Sequence, residues 1–562
     1  MAISCSVVDV TWEGTVLRIV VHGETLRLVN TPLGHESEGA ESSTPEDDAR
    51  RLEFELQAPG RSIPIKASAF DIPEAYEIQM NVINIQNRRE IPDGKWKLVP
   101  LLGRKRCDPA DFDATHASKL AEWSRTFLFD DNRQAYVVNF DITTDDNRPE
   151  FIICIHHYSQ PVTWRSTTGD WRRRLHVYLT RGGALSKFLQ SWYDAWRFIN
   201  ASRRNCVVFV TQRDASLDGN LRCLRDRIVQ RGLDRRYRLC EWSKPKAPGF
   251  GRLLWSWLKL SKLMAGADYI FIDEYCELLD YIIVAPKAVL TQLWHAGYGF
   301  KAAGFARFGR DGSPRLDCGH RQYTYAICGS RELTPVYSEV FGIEEEAILP
   351  TGLPRVDEFL DTTYARHARA SFFNGHPELA SKRIVLFAPT YRGRGSTNAY
   401  YDYQCLDFQA LADWCGAETV ILFRMHQFIR TPPPIPKEFA SRLIDFSSYP
   451  NTNPLLYSAD VLITDYSSIV YEYSLLNRPI LFFAYDEALY GATRGLHGNY
   501  REIAPGKICS NFNELMSALQ NEDFELERVE DYRNRYFDYT DTKSTDRVID
   551  QILLGRELHK ER

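Results

Sequence analysis

The stretch ADVLITDYSSIVYEYSLLNRPILFFAYD, residues 459–486, has the pattern of a strand, a helix and a second strand. The first apolar run ends at Asp465, and Ser467 and Ser468 stand where the strand should turn into the helix. Serine is a common N-cap, and the unpaired N–H groups of a helix's first turn attract anions. We therefore predict a phosphate-binding pocket here, with Ser467 as the N-cap and the helix beginning near Ser468.

The same alternation of apolar strands and helices runs through the chain from about residue 205 onward. It forms two successive series, one ending near residue 360 and the other beginning near 361. Short apolar strands separated by helices are typical of parallel sheets covered on both faces. We predict an α/β fold of two Rossmann-like lobes facing a cleft, with ligands beyond the carboxyl ends of the strands.

The first 160 residues have a different pattern, in which short stretches of alternating apolar and polar residues are separated by Gly, Pro and Asp. This pattern predicts a β-rich N-terminal domain of sandwich type over 1–160. The predicted domains that follow are a basic amphipathic helical connector over 161–204, an N-terminal Rossmann-like lobe over 205–360 and a C-terminal Rossmann-like lobe over 361–562.

A basic block joins the β-rich segment to the α/β series. Residues 161–264 contain 22 lysines and arginines against seven aspartates and glutamates, interleaved with Trp, Leu and Phe at roughly helical spacing. Such helices suit an anionic membrane surface, where aromatic rings enter the headgroup layer and cations face phosphates. The pattern fits equally well amphipathic helices packed on a domain core with a solvated basic face.

Composition narrows the class of protein. A chain of 562 residues that is 44% hydrophobic can bury several cores, and a net charge of −5 gives no general case for nucleic-acid binding. Twelve cysteines occur singly, without a CxxC pair, which favours reduced thiols and argues against zinc. The N-terminus lacks signal-peptide features, and no run approaches about 20 uncharged apolar residues. We expect a cytoplasmic protein, soluble or peripheral to a membrane.

Polar side chains follow four of the predicted strands. Arginine and lysine can neutralise phosphate, and histidine can accept a proton or donate to a developing charge. Each such residue alone also fits a structural role, as a cap or as a hydrogen-bonded core residue. Their coincidence at neighbouring strand ends indicates an enzyme that binds a phosphorylated ligand. The residues are His295, Lys301, Thr390, Arg392, Arg424, His426, Asp465, Ser467 and Ser468.

Five ordered blocks give a more specific indication: QLWHAGYGFKAAGF, PTGLPRVDEF, VLFAPTYRG, FRMH and the stretch 459–486. Over roughly residues 205–550 this series resembles the CDP-glycerol glycerophosphotransferase family, whose enzymes prime and polymerise teichoic acids and related phosphate-linked capsules. The resemblance implies a GT-B arrangement, with the acceptor side in the lobe over 205–360 and the nucleotide donor side in the lobe over 361–562.

The resemblance also implies a reaction. The donor is CDP-glycerol or CDP-ribitol, with glycerol phosphate the first expectation. An acceptor hydroxyl of a cell-surface polymer or lipid-linked glycan attacks the β-phosphorus, and CMP leaves. No cofactor and no metal are expected, because cationic side chains can neutralise the diphosphate. The family's peripheral attachment implies an anionic membrane surface as a partner, at the inner face of the cell membrane.

Roles for individual residues follow from the same resemblance. His295 is the implied general base, and His426, beside Arg424, stabilises charge on the diphosphate. Ser467 and Ser468 hold phosphate. The remaining implied contacts are to the nucleotide or diphosphate for Thr390, Arg392 and Asp465, to a polyol or ribose hydroxyl for Glu472, and to phosphate or acceptor for Lys301 and Arg355.

The sequence departs from the family pattern at several positions, and two other functions stay open. The block WHAGYGFKAAG replaces the WHGTPLKK of many polymerases, Asn499 stands where an acidic residue is usual, and Glu472 replaces a common aspartate. The first alternative is a GT-B glycosyltransferase that breaks a bond at the anomeric carbon of a nucleotide sugar. The second is a non-catalytic scaffold whose β-rich module recruits glycans.

Overall fold

The computed structural model describes residues 5–23, 52–69, 75–86, 88–102, 105–130, 133–143, 149–159, 183–200, 205–212, 216–246, 249–297, 300–310, 312–393 and 398–555. The chain divides into two compact units, and the first consists of Met1–Tyr178, Ala303–Arg321 and Glu339–Glu344. Most of the predicted connector over 161–204 lies outside the described residues. The predicted division into four segments therefore stays a prediction.

The first unit is built of antiparallel sheets. Their orders are β1-β2-β6-β5 and β4-β3-β7-β11-β10-β9, with β8 paired to β7. Alternate side chains of β10, from Tyr136 to Phe140, are buried, as expected when one sheet face packs on a core. The elements are β1 (Cys5–Glu13), β2 (Val16–Gly23), β3 (Leu52–Ala58), β4 (Arg61–Ile65), β5 (Ala67–Ala69), β6 (Ala75–Asn81), β7 (Gly94–Leu102), β8 (Lys105–Arg106), α1 (Ser118–Trp123), β9 (Arg125–Phe129), β10 (Gln134–Thr143) and β11 (Glu150–Ser159).

The second unit contains a parallel sheet of order β13-β12-β14-β15-β16-β17. Every residue of β12 is buried, because helices cover both faces of a parallel sheet. Its strands are β12 (Cys206–Thr211), β13 (Arg238–Ser243), β14 (Tyr269–Ile272), β15 (Val289–Gln292), β16 (Tyr325–Ile327) and β17 (Ile348–Leu349). The helices of this part of the chain are α2 (Ala184–Ile199), α3 (Gly219–Gln230), α4 (Phe250–Met264) and α5 (Thr334–Phe341).

A second parallel sheet in the same unit has the order β20-β19-β18-β21-β22-β23, which is the 3-2-1-4-5-6 order of a doubly wound fold. Its strands are β18 (Arg383–Phe387), β19 (Thr419–Phe423), β20 (Leu443–Asp445), β21 (Val461–Thr464), β22 (Ile480–Phe483) and β23 (Lys507–Cys509). The accompanying helices are α6 (Pro354–Leu360), α7 (Thr362–Gly375), α8 (Phe408–Cys415), α9 (Thr452–Ser458), α10 (Ile469–Ser474), α11 (Glu487–Arg494), α12 (Tyr500–Ile503), α13 (Phe512–Asn521), α14 (Glu527–Tyr536), α15 (Ser544–Val548) and a π-helix (Ile549–Leu553).

The predicted mixed α/β fold with parallel sheets is thus confirmed. In the second parallel sheet the strand order reverses between β18 and β21, and the crevice beyond such a switch point is where doubly wound folds bind ligands. Among the helices of the described ranges, none combines the length and apolarity that crossing a bilayer requires. All twelve cysteines lie in described residues and are free thiols.

Candidate active site

Asp465 joins the carboxyl ends of β18 and β21, at the switch point of the second parallel sheet. Its Oδ1 accepts hydrogen bonds from the backbone N–H groups of Thr390, at 2.8 Å, and Tyr466, at 2.6 Å. Its Oδ2 accepts from Nη1 of Arg392 at 2.8 Å. The carboxylate is buried, so these bonds hold the two strand ends together in a low-dielectric setting.

Arg392 is buried between two carboxylates. Besides Asp465, it forms a bidentate pair with Asp486, with Nε and Nη2 donating at 2.7 and 2.8 Å. Burial alone would lower the pKa of Arg392, but the two carboxylates raise it above its ordinary value. Most of its N–H groups already bond to other groups of the protein, so its predicted contact with the nucleotide donor stays a prediction. Four rings surround the guanidinium at 5.1–5.6 Å, those of Tyr401, Tyr466, Tyr485 and Tyr490.

The serine pair opens α10, one residue later than predicted. The helix begins at Ile469, and Ser468 before it already has near-helical dihedrals, with φ −70° and ψ −4°, and makes no side-chain cap bond. Ser467 instead accepts from the N–H of Ile469 at 3.4 Å through its Oγ. Both serines are half-buried, and their predicted contact with a phosphate stays a prediction.

His426 and Arg424 follow β19. The backbone N–H of Phe428 donates to Nδ1 of His426 at 3.2 Å, which places the ring proton on Nε2. Burial, together with the charges of Lys301 and Arg424, lowers the pKa of His426 to about 4. The imidazole is therefore neutral near pH 7 and offers an Nε2–H donor, which suits charge stabilisation better than proton transfer.

Lys301 lies beside the same histidine. Its backbone pairs with Leu496, and its Nζ lies 5.7 Å from the ring centre of Tyr391. Burial, reinforced by nearby arginines and opposed by Asp465, lowers the pKa of Lys301 to about 8. Arg494 lies 5.1 Å from the same tyrosine ring. Lys301 and Arg494 thus place two cations around Tyr391, next to His426.

His295 follows β15 on the other parallel sheet, after a backbone turn at Trp294, whose φ is 52°. Its Nδ1 lies 3.3 Å from the backbone oxygen of Asp273. A carbonyl can only accept, so this contact favours the tautomer with the proton on Nδ1. The basic nitrogen is then Nε2. The contacts at Nδ1 thus assign opposite tautomers to the two histidines, one suited to accept a proton and the other to donate a hydrogen bond.

Asn220, a buried residue of α3, holds the turn that carries His295. Its Nδ2 donates to the backbone oxygens of Leu293, at 3.1 Å, and Trp294, at 2.6 Å. Its Oδ1 accepts from the N–H of Arg355 at 2.9 Å. One side chain thereby fixes the start of α6 against the strand end that precedes His295.

Arg355 and Glu472 bind each other. Nη2 of Arg355 donates to Oε1 of Glu472, and Nη1 donates to the backbone oxygen of His295. Burial raises the pKa of Glu472, and Arg355 opposes this shift. The pair links the segment of His295 to α10, and the predicted contacts of these two residues with polyol, phosphate or acceptor stay predictions.

Several of the predicted residues therefore form two clusters near α10. One cluster, near the middle of the helix, consists of His295, Arg355 and Glu472. The other consists of Lys301, His426 and Asp465, and Asp465 precedes the helix.

Three further residues near these clusters, Arg494, Tyr391 and Asn220, are not among the predicted ones. Tyr391 lies in the sequence between two predicted residues, Thr390 and Arg392. Arg494 is the first residue of RGLHGNY, residues 494–500, in which only Asn499 was compared with the family pattern.

Asn499, the exposed departure from the family pattern, has a structural role. Its side chain accepts from the N–H of Arg501 at 3.2 Å and donates to Glu502 at 2.6 Å, capping α12. In the part of the chain that the structure describes, no three His, Cys, Asp or Glu side chains come together to hold a metal ion.

Comparison with known proteins relates the chain to one family of transferases. Residues 195–554 match the family described as CDP-Glycerol:Poly(glycerophosphate) glycerophosphotransferase. The chain is 32% identical over 422 residues to the teichoic acid ribitol-phosphate polymerase TarK of Staphylococcus aureus, covering 74% of this chain and 81% of that one. It is 28% identical over 518 residues to the teichoic acid poly(ribitol-phosphate) polymerase of Bacillus spizizenii, covering 88% and 82%.

A solved structure of the wall teichoic acid polymerase TagF is similar in fold. It superposes with a TM-score of 0.51 at 20% identity, covering 65% of this chain and 93% of that one. Similarity at this level of identity concerns the fold alone.

Proposed function

Because the chain belongs to the CDP-Glycerol:Poly(glycerophosphate) glycerophosphotransferase family, we propose that it transfers a polyol phosphate from a CDP-activated donor to an acceptor hydroxyl in teichoic acid biosynthesis. The observation that carries this proposal is the pair of contacts at Nδ1, from His295 to a backbone oxygen and from a backbone N–H to His426, which assign complementary tautomers to the two histidines. The acceptor is a hydroxyl of a growing polymer or a lipid-linked glycan.

The two parallel sheets form the lobes of a GT-B arrangement, with the donor in the cleft between them. The switch point of the second sheet lies between β18 and β21, and it supports a donor site at Ser467 and Ser468. His295, which follows a strand of the other sheet, faces the acceptor. The similarity in fold to TagF supports this arrangement.

The reaction assigns one task to each histidine. Nε2 of His295 takes the proton of the acceptor hydroxyl while the oxygen of that hydroxyl bonds to the β-phosphorus. The bond from that phosphorus to the bridging oxygen breaks, and CMP leaves with the bridging oxygen. Nε2–H of His426, with Arg424 and Lys301, stabilises the charge that builds on the phosphate oxygens.

The donor is tested by incubating the protein with CDP-glycerol and CDP-ribitol in parallel and following CMP release with a polyol-phosphate primer as acceptor. Ribitol phosphate is the first candidate, because the two relatives with the longest alignments described above are named ribitol-phosphate polymerases. Release of CMP from neither donor, or formation of a glycosidic bond from a nucleotide sugar, would contradict the proposal.

Donor affinity is expected to fall as the pH rises from 7 to 9. Burial lowers the pKa of Lys301 to about 8, so its ammonium loses the proton in this range, whereas the diphosphate stays fully ionised. The measurement is the dissociation constant for the CDP-polyol at both pH values. In Lys301→Arg, which keeps its charge, the affinity should be the same at both pH values. The same pH dependence in both proteins would exclude Lys301 as the titrating contact.

A membrane surface is the proposed partner of α2 and α4. These helices pack on each other, with Nε1 of Trp192 donating to the backbone oxygen of Leu258 at 3.1 Å. Their outer faces leave large apolar side chains exposed, with Trp255 at 59% and Phe198 at 86%. Lys259 lies 5.5 Å from the ring of Trp255, so cations border the apolar surface as headgroup binding requires.

Replacing the outer face of α4 is expected to weaken binding to anionic vesicles at least about tenfold, since each cation near such a surface contributes about 1 kcal/mol. The variant is Trp255→Ser, Lys259→Ser and Lys262→Ser, and it spares Trp257, which is buried against Tyr281. Binding is measured by co-sedimentation with phosphatidylglycerol vesicles.

The matched control for this variant removes one exposed apolar residue and two exposed cations elsewhere, by Leu489→Ser, Arg366→Ser and Arg369→Ser. If both variants sediment with the vesicles as much as the parent protein does, the basic face of α4 is merely solvated.

A further inference from the structure

Tyr471, in the middle of α10, fills a slot between two glycines. The side chain is fully buried, its Oη donates to the backbone oxygen of Tyr536 at 3.2 Å, and its ring stacks on Phe537 at 4.1 Å. A Cβ added to Gly297 would overlap ring atoms Cγ and Cδ1 and lie 2.6 Å from Cε1. A Cβ added to Gly329 would overlap Oη and lie 2.9 Å from Cζ.

Glycine is required at these two positions because there is no room for a side chain, and not because of the backbone conformation. Neither Gly297 nor Gly329 has a φ in the left-handed region, so an alanine could adopt either backbone conformation. The clash with Tyr471 is what excludes a side chain at both positions. Gly297 lies two residues after His295, so the ring packs directly on the segment that carries the proposed base.

Two consecutive residues of α10 thus hold the His295 segment. Tyr471 packs on Gly297, and Glu472 reaches the backbone oxygen of His295 through Arg355. We propose that Tyr471 is a positioning residue, which sets the place of His295 relative to the serine-lined start of α10. The inference rests on the proposed function, because it takes His295 as the base and that helix start as the phosphate site.

The physical consequence is that His295, the proposed base, is held at a fixed place relative to the proposed phosphate site at the start of α10. In-line attack requires the reacting atoms within about 3–3.5 Å, and a displacement of about 1 Å can cost 100-fold in rate. Removing the ring would free the His295 segment to shift, while the donor's contacts with Ser467 and Ser468 stay. The loss should therefore appear in the rate of transfer and not in donor binding.

The kinetic test uses size complementarity. Gly329→Ala should lower kcat about 10- to 100-fold by pushing the ring aside, with the dissociation constant for the CDP-polyol within about threefold of the parent. Tyr471→Phe removes Oη, the atom that the new methyl group would overlap most, and leaves milder contacts at 2.9 Å to Cζ and 3.0 Å to the backbone oxygen of Tyr536, so the double variant should recover part of the lost kcat. A double variant no faster than Gly329→Ala alone would overturn the proposal.

A second measurement does not depend on activity. In Tyr471→Ala, amide hydrogen exchange should rise both in α10 and in residues 293–297. The matched control is Tyr473→Ala, because Tyr473 is a fully buried tyrosine of the same helix whose Oη donates to the backbone oxygen of Ala459 at 3.1 Å, within the core of the second sheet. This control should leave exchange in 293–297 unchanged.

The two measurements separate the inference from the function on which it rests. If the parent protein transfers neither polyol phosphate, the proposed function fails, and hydrogen exchange still tests the packing. Unchanged exchange in residues 293–297 of Tyr471→Ala, or an equal rise in Tyr473→Ala, would overturn the role of Tyr471 whatever the donor is.

Discussion

His295→Ala is expected to lower turnover at least about 100-fold, the loss typical of a missing proton acceptor. Donor affinity should stay within about threefold, because His295 is proposed to face the acceptor hydroxyl and not the nucleotide. The measurements are kcat from CMP release and the dissociation constant for the CDP-polyol. Turnover within tenfold of the parent would refute the role of general base.

His426→Ala is expected to cause a loss of the same size for a different reason, and glutamine variants separate the two. Nε2–H of His426 donates a hydrogen bond, and a glutamine side-chain amide can do the same. His426→Gln should therefore retain clearly more activity than His426→Ala. Glutamine cannot accept a proton near pH 7, so His295→Gln should be no better than His295→Ala.

The pH profile provides a check on this assignment. Burial and two neighbouring cations lower the pKa of His426 to about 4, so this group stays neutral above about pH 5. Any loss of kcat/KM between pH 7 and 5.5 then comes from a group other than His426. Glutamine at position 426 should leave that limb of the profile in place. Its disappearance in His426→Gln would reverse the two roles.

The positions of the strand ends could be predicted from sequence because strand periodicity and helix starts are local signals. The run before Asp465 and the two serines after it mark the end of β21 and the start of α10 within one residue. Ser467 and Ser468 are both good caps, and the side-chain bond to the first turn comes from Ser467, as predicted, although the helix begins at Ile469. Backbone geometry, which the sequence does not display, decides between them.

Partners distant in sequence could not be predicted. Arg392 looks like a phosphate ligand because an arginine after a strand suits that role, yet its carboxylate partners lie 73 and 94 residues away. The same applies to Arg355 and Glu472, which are 117 residues apart. Gly297 and Gly329 read as ordinary loop glycines until the ring of Tyr471 is placed between them.

Arg392→Met is expected to destabilise the protein by about 3–5 kcal/mol, because it leaves two carboxylates without their cation in a buried site. Asp465 and Asp486 both bind this guanidinium, and Asp465 also holds the N–H groups of Thr390 and Tyr466. The measurement is the free energy of unfolding of the protein from urea denaturation. Loss of the same pair should also loosen the serine-lined start of α10, which directly follows Asp465.

The matched control is Arg383→Met, which removes an arginine of the same sheet from a pair with Glu522 that is largely exposed to solvent. Surface pairs contribute about 0–1 kcal/mol, so this change should be small. Adding Asp465→Asn and Asp486→Asn to Arg392→Met should recover part of the stability, since the cost arises from uncompensated charge and not from the lost contact itself. Equal effects of the two single variants would mean that the Arg392 site is solvated, and the guanidinium would then be available to a donor phosphate as the sequence first predicted.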